Sequence, residues 1–421
     1  MEYRSVKGME DMLPQDSDWW RCIENKARGE LEFYGYSEIR TPILEDTAVF
    51  VRSIGETTDI VTKEMFTFSD RKERSLTMRP EGTAPIVRAY IEHSLGTLSP
   101  VTKLYYIGPM FRAERPQKGR LRQFHQIGVE VIGSPSPFAD IEVLAQLHGM
   151  LKAFGLDGFV IKLNSLGCKD DKARFAESLK GYLADKQSRL CEDCKKRMEK
   201  NALRVLDCKN ESCVQVIRNA PNIFDNLCAP CKDHFTRVKD GLKAVGVRFE
   251  ETKNLVRGLD YYTGTVFEIT HPGLGSQDAI GAGGRYDNLV KDMGGPSVGA
   301  VGYALGIERL IIALKGKAPG SGTAKVVYIA TLGDAAKIRG QQLAEKIKDE
   351  SVPRLVVLQD ISEASLKSQM RSADKNGARF VVIMGEDEMS QGNAKLKDMK
   401  EKKEDVVAID SVPGELRKRL C

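Results

Sequence analysis

The 421-residue chain contains no run approaching the roughly 20 consecutive apolar residues that a membrane helix needs. Its first residues, MEYRSVKGMEDMLP, carry no apolar signal core. Both absences argue against a helical membrane protein and for a cytoplasmic one. A dominant charge is missing too: 64 Lys and Arg stand against 59 Asp and Glu, a formal net charge of +5. Any nucleic-acid contact must therefore come from local patches, not from bulk charge. Histidine is scarce, five in all. One of them, His125, falls on an apolar strand face and reads as a hydrogen-bonded core residue, not a catalyst. There is no internal repeat. The glycines between 299 and 306 have the wrong spacing for a dinucleotide fingerprint, and no βαβ unit with a downstream acid follows. A helix over 304–316 packed closely on a sheet accounts for them instead.

What is present is ordinary globular material, 41% hydrophobic, in a length that allows two or three domains with cores of their own. Ser17 is a candidate N-cap for a helix reaching about Gly35, with Trp20, Ile23, Ala27 and Leu31 near helical spacing. GYSEIRTPILE reads as a strand in which Pro42 marks an edge or bulge. MFTFSD and SLTMRP form a hairpin, and PEGTAPIVRAYIEHSL a helix. Strands interspersed with helices in this way predict an α+β fold with an antiparallel sheet flanked by helices. The texture changes over 168–246, a Lys-, Glu- and Cys-rich helical segment that reads as an insertion. The core, 1–167, then resumes over 247–316. A Gly-, Pro- and Ser-rich linker, 317–324, leads to a compact α/β domain over 325–421.

The richest stretch is 105–133, YYIGPMFRAERPQKGRLRQFHQIGVEVIG. Two strands, about 105–115 and 121–132, flank a basic loop. Alternation puts Ile107, Phe111, Ile127, Val129 and Val131 on one face, and Arg112, Glu114, Phe124, Gln126 and Glu130 on the other. The second face is either a solvated surface or a platform for a ligand that is anionic at one end and flat or cationic at the other. Further polar constellations accompany it. In LVRGLDYYTGTVFEIT, Gly258 and Asp260 mark a turn before a strand, with Arg257, Tyr261 and Tyr262 at its mouth. An arginine fork suits a carboxylate or a phosphate. In GAGGRYDNLV, Gly283 and Gly284 permit a turn or close backbone approach. Glu81 and Thr83 stand at a helix start, where Glu81 complements the dipole or binds an ammonium group. Arg309 lies near the last core helix.

Together these segments resemble a class II aminoacyl-tRNA synthetase, specifically the histidyl-tRNA synthetase family. GYSEIRTPILE resembles motif 1. Phe111-Arg112-Ala113-Glu114, the basic loop and Phe124 resemble motif 2, and the run from Gly302 to Arg309 resembles motif 3. VRGLDYYTGTVFE and GAGGRYDNLV resemble the two histidine-specific signatures. KGMEDMLP and GETTDIVTKEMFTF match as well. The resemblance implies ATP-dependent activation of L-histidine, with Mg²⁺ accompanying ATP, and transfer of the histidyl group to tRNA(His). It assigns Arg112 to the α-phosphate, Glu114 to the adenine edge, and Phe124 and Arg309 to the adenine faces. Arg257 would bridge carboxylate and α-phosphate. Glu81, Thr83 and Gln126 would hold the ammonium and its polar neighbours. Glu130 and Tyr262 would read the imidazole, with Tyr261 nearby. The resemblance also implies a homodimer through motif 1 and an anticodon-binding role for 325–421.

Six of the nine cysteines lie between Cys191 and Cys231. Cys191-x-x-Cys194 and Cys228-x-x-Cys231 have the spacing of a structural zinc site, with Cys208 and Cys213 as competing ligands. Free thiols or a redox pair are the alternatives. For the whole chain, one competing reading is a non-catalytic regulatory paralogue that binds histidine but charges no tRNA. Such proteins lack the anticodon-binding domain and erode the ATP motifs, whereas Arg112, Glu114, Arg257 and Arg309 all stand here. A purely RNA-binding scaffold would leave the polar site unexplained.

Overall fold

A computed structural model describes residues 3–56, 58–275, 277–314, 325–350, 352–353 and 355–420. The expected linker, 317–324, lies outside them. The chain divides into two compact units, 1–321 and 322–421.

The first unit is organised by an eight-stranded sheet. Its strands, named with their neighbours in chain order, are β1 (Ser37–Glu38), β5 (Thr102–Phe111), β6 (Gln123–Ile132), β7 (Val160–Ser165), β8 (Glu250–Glu251), β9 (Thr263–Thr270), β10 (Ala279–Arg285) and β11 (Ala300–Gly306). A separate three-stranded sheet holds β2 (Leu44–Asp46), β3 (Phe66–Ser69) and β4 (Ser75–Met78). The large sheet runs β1-β5-β6-β11-β10-β9-β7-β8, parallel only at its two edge pairs. This is the α+β antiparallel architecture expected from the sequence.

Both faces of the sheet are buried. On one face Tyr105, Ile127, Val129, Val131, Val301 and Phe267 pack against helices Pro14–Phe33, Pro137–Ala153 and Ala229–Ala244. On the other, Leu104, Tyr106, Met110, Ile132 and Val266 pack against helix Thr83–Glu92 and against Phe175, Leu179, Val205 and Val216 of the 168–246 segment. A solvated charged face is thereby excluded: Glu130 is only 1% exposed.

Several local expectations shift. The first helix starts at Pro14, not after Ser17, because proline is pre-set for the first helical position. Motif 1 does not form one strand. It breaks at Pro42, which leaves β1 and β2 in different sheets. The buried Arg79 guanidinium stabilises the break by donating to the carbonyl of Thr41 at 2.9 Å and that of Pro109 at 2.9 Å. Residues 304–306, expected to be helical, belong to β11, and the helix is Ile307–Ala313. Glycines there serve the sheet rather than a helix.

The second unit has a five-stranded sheet. Strands β12 (Lys325–Thr331), β13 (Leu355–Gln359) and β14 (Phe380–Met384) are parallel, and β15 (Asn393–Asp398) and β16 (Lys403–Ala408) extend it antiparallel. The last two strands were not legible in the charged tail. Helices Asp334–Asp349 and Val412–Leu420 cover one core, and Leu366–Lys375 the other. Among the described residues, no helix is long and apolar enough to cross a membrane.

Candidate active site

A cavity of about 420 Å³ opens on the even face of β5 and β6. The hairpin register pairs Gly108 with Gln126 and Met110 with Phe124. The ladder then continues one step past β5, as the Arg112 amide donates to the Arg122 carbonyl at 2.8 Å. Arg112, Phe124 and Gln126 therefore share one side, as alternation requires. Arg112 lies over the Phe124 ring at 5.2 Å from its centroid, and its Nε donates to the Pro80 carbonyl at 2.9 Å. Glu114 pairs with Arg120 of the basic loop at 3.2 Å. Gly8 of the N-terminal leader accepts from the amide of Arg122 at 2.7 Å and so straps the base of that loop.

The residues expected on the amino-acid side converge from other elements. The amides of Thr83 and Ala84 both donate to Glu81, each at 2.8 Å, which satisfies the open end of helix Thr83–Glu92. Capping and pocket lining coincide in this one carboxyl, which burial pushes upward. The turn before β9 delivers Arg257, Tyr261 and Tyr262 to the cavity. Arg257 donates to Glu268 at 2.9 Å, and the two tyrosine rings stand 4.7 Å apart. Arg309, at the start of helix Ile307–Ala313, bonds the Gln277 carbonyl and lines the same space.

Every nucleotide- and histidine-site residue expected from the sequence lines this cavity except Glu130, which lies directly beneath its wall. Thr83 donates to Glu130 Oε1 at 2.7 Å, and the Tyr286 hydroxyl bonds Oε2. Burial pushes the Glu130 carboxyl up to about 8, against the pull of those two hydroxyls. Several buried polar atoms in the cavity have no protein partner: Gln126 Oε1, Tyr106 Oη, Arg204 Nε, Arg257 Nε and Arg309 Nε. Buried polar groups are normally paired, so this concentration marks a place where a polar ligand supplies the partners.

Sequence reading missed part of the site. Tyr286 lay inside a quoted signature yet carried no sign that its hydroxyl turns to Glu130. Tyr106 closes the floor, and added Cβ atoms on Gly82 and Gly128 would meet its ring at 2.2 and 2.0 Å. Arg197, Arg204 and Asp207 reach the cavity from the 168–246 segment. Burial lifts Asp207 to about 6 although Arg257 favours its ionised form. Nothing in the local pattern of that helical segment pointed to the site. Arg285 of the GAGGRYDNLV run is structural, buried against Asp140 and the Ser134 carbonyl. His125 sits outside the cavity floor, with Nδ1 3.0 Å from Glu308 and its ring edge-on to Trp20.

The expected four-cysteine set is corrected. Cys191 and Cys194 gather with Cys208 and Cys213, whereas Cys228 and Cys231 gather with Cys168 and Asp171. The two CxxC pairs stand at the starts of different helices and belong to separate clusters.

Comparison with known proteins agrees with this geometry. The family model "Histidyl-tRNA synthetase" matches residues 8–310, and "Anticodon binding domain" matches 326–419. Histidine--tRNA ligase of Halothermothrix orenii is 47% identical over 99% of this chain and 100% of its own length. That of Syntrophotalea carbinolica is 45% identical over 98% and 97% respectively. The apo histidyl-tRNA synthetase structure from S. aureus superposes with a TM-score of 0.81 at 34% identity, covering 99% of this chain and all of that one. With the motif residues gathered around one cavity and these likenesses spanning the whole length, the chain belongs to the histidyl-tRNA synthetase family.

Proposed function

We propose that the cavity activates L-histidine with ATP and passes the histidyl group to tRNA(His). In the first step a histidine carboxylate oxygen attacks the α-phosphorus of ATP, and pyrophosphate leaves with its Mg²⁺. In the second, the terminal ribose hydroxyl of the tRNA attacks the activated carbonyl and gives up its proton, the bond from carbonyl carbon to phosphate oxygen breaks, and AMP leaves with that electron pair. The first step builds negative charge on the α-phosphate, and the second on the carbonyl oxygen and the departing phosphate, so both need fixed cations and alignment. Arg112 and Arg257 supply that charge, Arg112 toward the α-phosphate and Arg257 between phosphate and carboxylate. Phe124 and Arg309 take the two faces of the adenine, and Glu114 its edge.

Glu81, Thr83 and Gln126 hold the ammonium group and its neighbours. Glu130 and Tyr262 read the imidazole nitrogens, with Tyr261 packed beside them. A carboxyl carbonyl oxygen accepts more than one hydrogen bond even when the group holds its proton, so Glu130 can keep Thr83 and Tyr286 while taking an imidazole N–H. An amino acid without that donor leaves the buried carboxyl under-satisfied, which is the basis of selection. The observation that carries this reading is the convergence of three arginines, Arg112, Arg257 and Arg309, with Gln126 and Tyr262 in one cavity. Charging of tRNA with labelled histidine tests it: histidyl-tRNA should accumulate only with ATP present, and its failure to form would refute the assignment.

The catalytic core comprises 1–167 and 247–316, the insertion 168–246 covers the pocket, and 325–421 reads the anticodon of the bound tRNA. The protein works in the cytoplasm as a homodimer. Ile43, Leu44 and Phe68 support the dimer: they are exposed apolar side chains on or beside the three-stranded sheet that follows Pro42.

A further inference from the structure

We propose that Cys191, Cys194, Cys208 and Cys213 form a tetrathiolate Zn²⁺ site that pins the pocket-facing loop of the insertion. Their sulfur atoms all lie within 4.8 Å of one another. Cys191 Sγ and Cys208 Sγ are 3.8 Å apart. A disulfide would require about 2.05 Å. Four sulfurs placed tetrahedrally about 2.3 Å from a common centre stand ~3.8 Å from each other, so the cluster has the size of a zinc–sulfur tetrahedron.

A helix start and two backbone N–H groups face the sulfurs. Cys191 is the N-cap of helix Glu192–Lys200, and Cys194 lies in its first turn, where the helix field favours negative charge. The amide of Cys191 donates to Cys213 Sγ at 3.2 Å, and that of Asn210 to Cys208 Sγ at 3.4 Å. N–H groups aimed at sulfur are the outer shell that orients metal-bound thiolates. Cys194 and Cys213 are fully buried, and Cys191 and Cys208 partly so. Metal binding releases the thiol protons, leaving one Zn²⁺ held by four thiolates.

The local fold needs such a tie. From Cys191 to Ile217 it consists of the nine-residue helix Glu192–Lys200, the six-residue 3₁₀ turn Ala202–Asp207 and the seven-residue helix Glu211–Ile217. Helices this short do not hold themselves. The span between Cys194 and Cys208 carries Arg197, Arg204 and Asp207 to the cavity. A metal joining its two ends would fix where those side chains stand.

The second cluster differs in kind: it has three sulfurs and one carboxylate, and the fold already uses the carboxylate. Asp171 already accepts from the amides of Cys168 at 3.1 Å and Cys228 at 3.0 Å and pairs with Arg174. Its carboxylate is occupied in tying two helix starts together. The proposal therefore specifies one zinc per chain.

Elemental analysis of full-length protein, purified without chelators or immobilised metal, should find close to one zinc per chain. X-ray absorption should show sulfur neighbours alone, at about 2.3 Å. The Cys208→Ser/Cys213→Ser double variant should lose the metal, and Cys228→Ser/Cys231→Ser should keep it. Chelator-stripped wild-type protein should become protease-sensitive first between 191 and 213, with Zn²⁺ restoring resistance. Zinc-free native protein, iron in its place, two zincs per chain, nitrogen or oxygen neighbours, or metal lost only from the Cys228/Cys231 variant would each overturn the proposal. The spectroscopic measurement uses wild-type protein, so misfolding of a variant does not remove the test.

Discussion

Gly302 of β11 lies directly across from Glu130 of β6, and a Cβ on Gly302 would fall 2.0 Å from Glu130 Oε2. The missing side chain is what lets a carboxyl lie flat against the neighbouring strand, beneath the wall of the cavity. Glycine is required here for close approach, not for turn geometry. Gly302→Ala should displace Glu130 and its hydroxyl partners. Histidine-dependent pyrophosphate exchange should fall at least about tenfold, equivalent to roughly 1.4 kcal/mol in the transition state. Steady-state exchange kinetics together with far-UV circular dichroism check this, the second establishing that the variant folds.

Glu130 also ties stability to pH. Its folded carboxyl titrates near 8 because it is desolvated, well above its ordinary value of 4.5. Below the ordinary value both folded and unfolded chains hold the proton, and the full stability is present. Between 4.5 and 8 the unfolded chain releases it first, so stability declines as pH rises through that window. Glu130→Gln removes the titration. The stability of wild type relative to this variant should fall from pH 5 to pH 8, as measured by denaturant unfolding. A constant difference across that range would show that Glu130 is already ionised in the fold.

Arg257 and Glu268 form a half-buried pair at 2.9 Å. If Arg257 turns from this partner to the substrate carboxylate and phosphate, Arg257→Ala should reduce exchange by a hundredfold or more, about 2.7 kcal/mol, while the protein stays folded. Arg257→Lys should not restore it, because a point charge lacks the two-pronged fork. Pyrophosphate exchange measured on both variants decides the matter, and near-normal exchange in Arg257→Ala would remove Arg257 from its assigned role.

Leu44 and Phe68 supply a test of the dimer. A charged residue on the apolar strip that follows Pro42 should prevent association without disturbing a core, since both side chains are exposed. Leu44→Glu combined with Phe68→Glu should sediment as a monomer where wild type sediments as a dimer. Equal sedimentation of the two would place the interface elsewhere.

How far the sequence went depended on the range of the interaction. Alternation along 105–133 put Arg112, Phe124 and Gln126 on one face because strand geometry is local. It did not show that this face is buried, since its cover comes from helix Thr83–Glu92 and from the 168–246 segment. The dipeptide Gly283-Gly284 read as a turn or a close approach, and only the register of three neighbouring strands decides for the latter: a Cβ on Gly283 would lie 2.3 Å from the Gly302 carbonyl. The cysteine pairing failed for the same reason. Two CxxC motifs of equal spacing look like partners, but each cysteine pair stands at the start of its own helix, and the packing of those helices chose Cys208 and Cys213 for one pair and Cys168 for the other. Strands β15 and β16 were hidden because their alternation is carried by charged residues such as Lys395, Lys397 and Glu404, whose pattern resembles a solvated tail.

The most direct test of the central claim is ATP–pyrophosphate exchange with each of the amino acids supplied in turn. The account predicts exchange that depends on histidine and is supported by no other amino acid. Absence of histidine-dependent exchange in folded wild-type protein would contradict it.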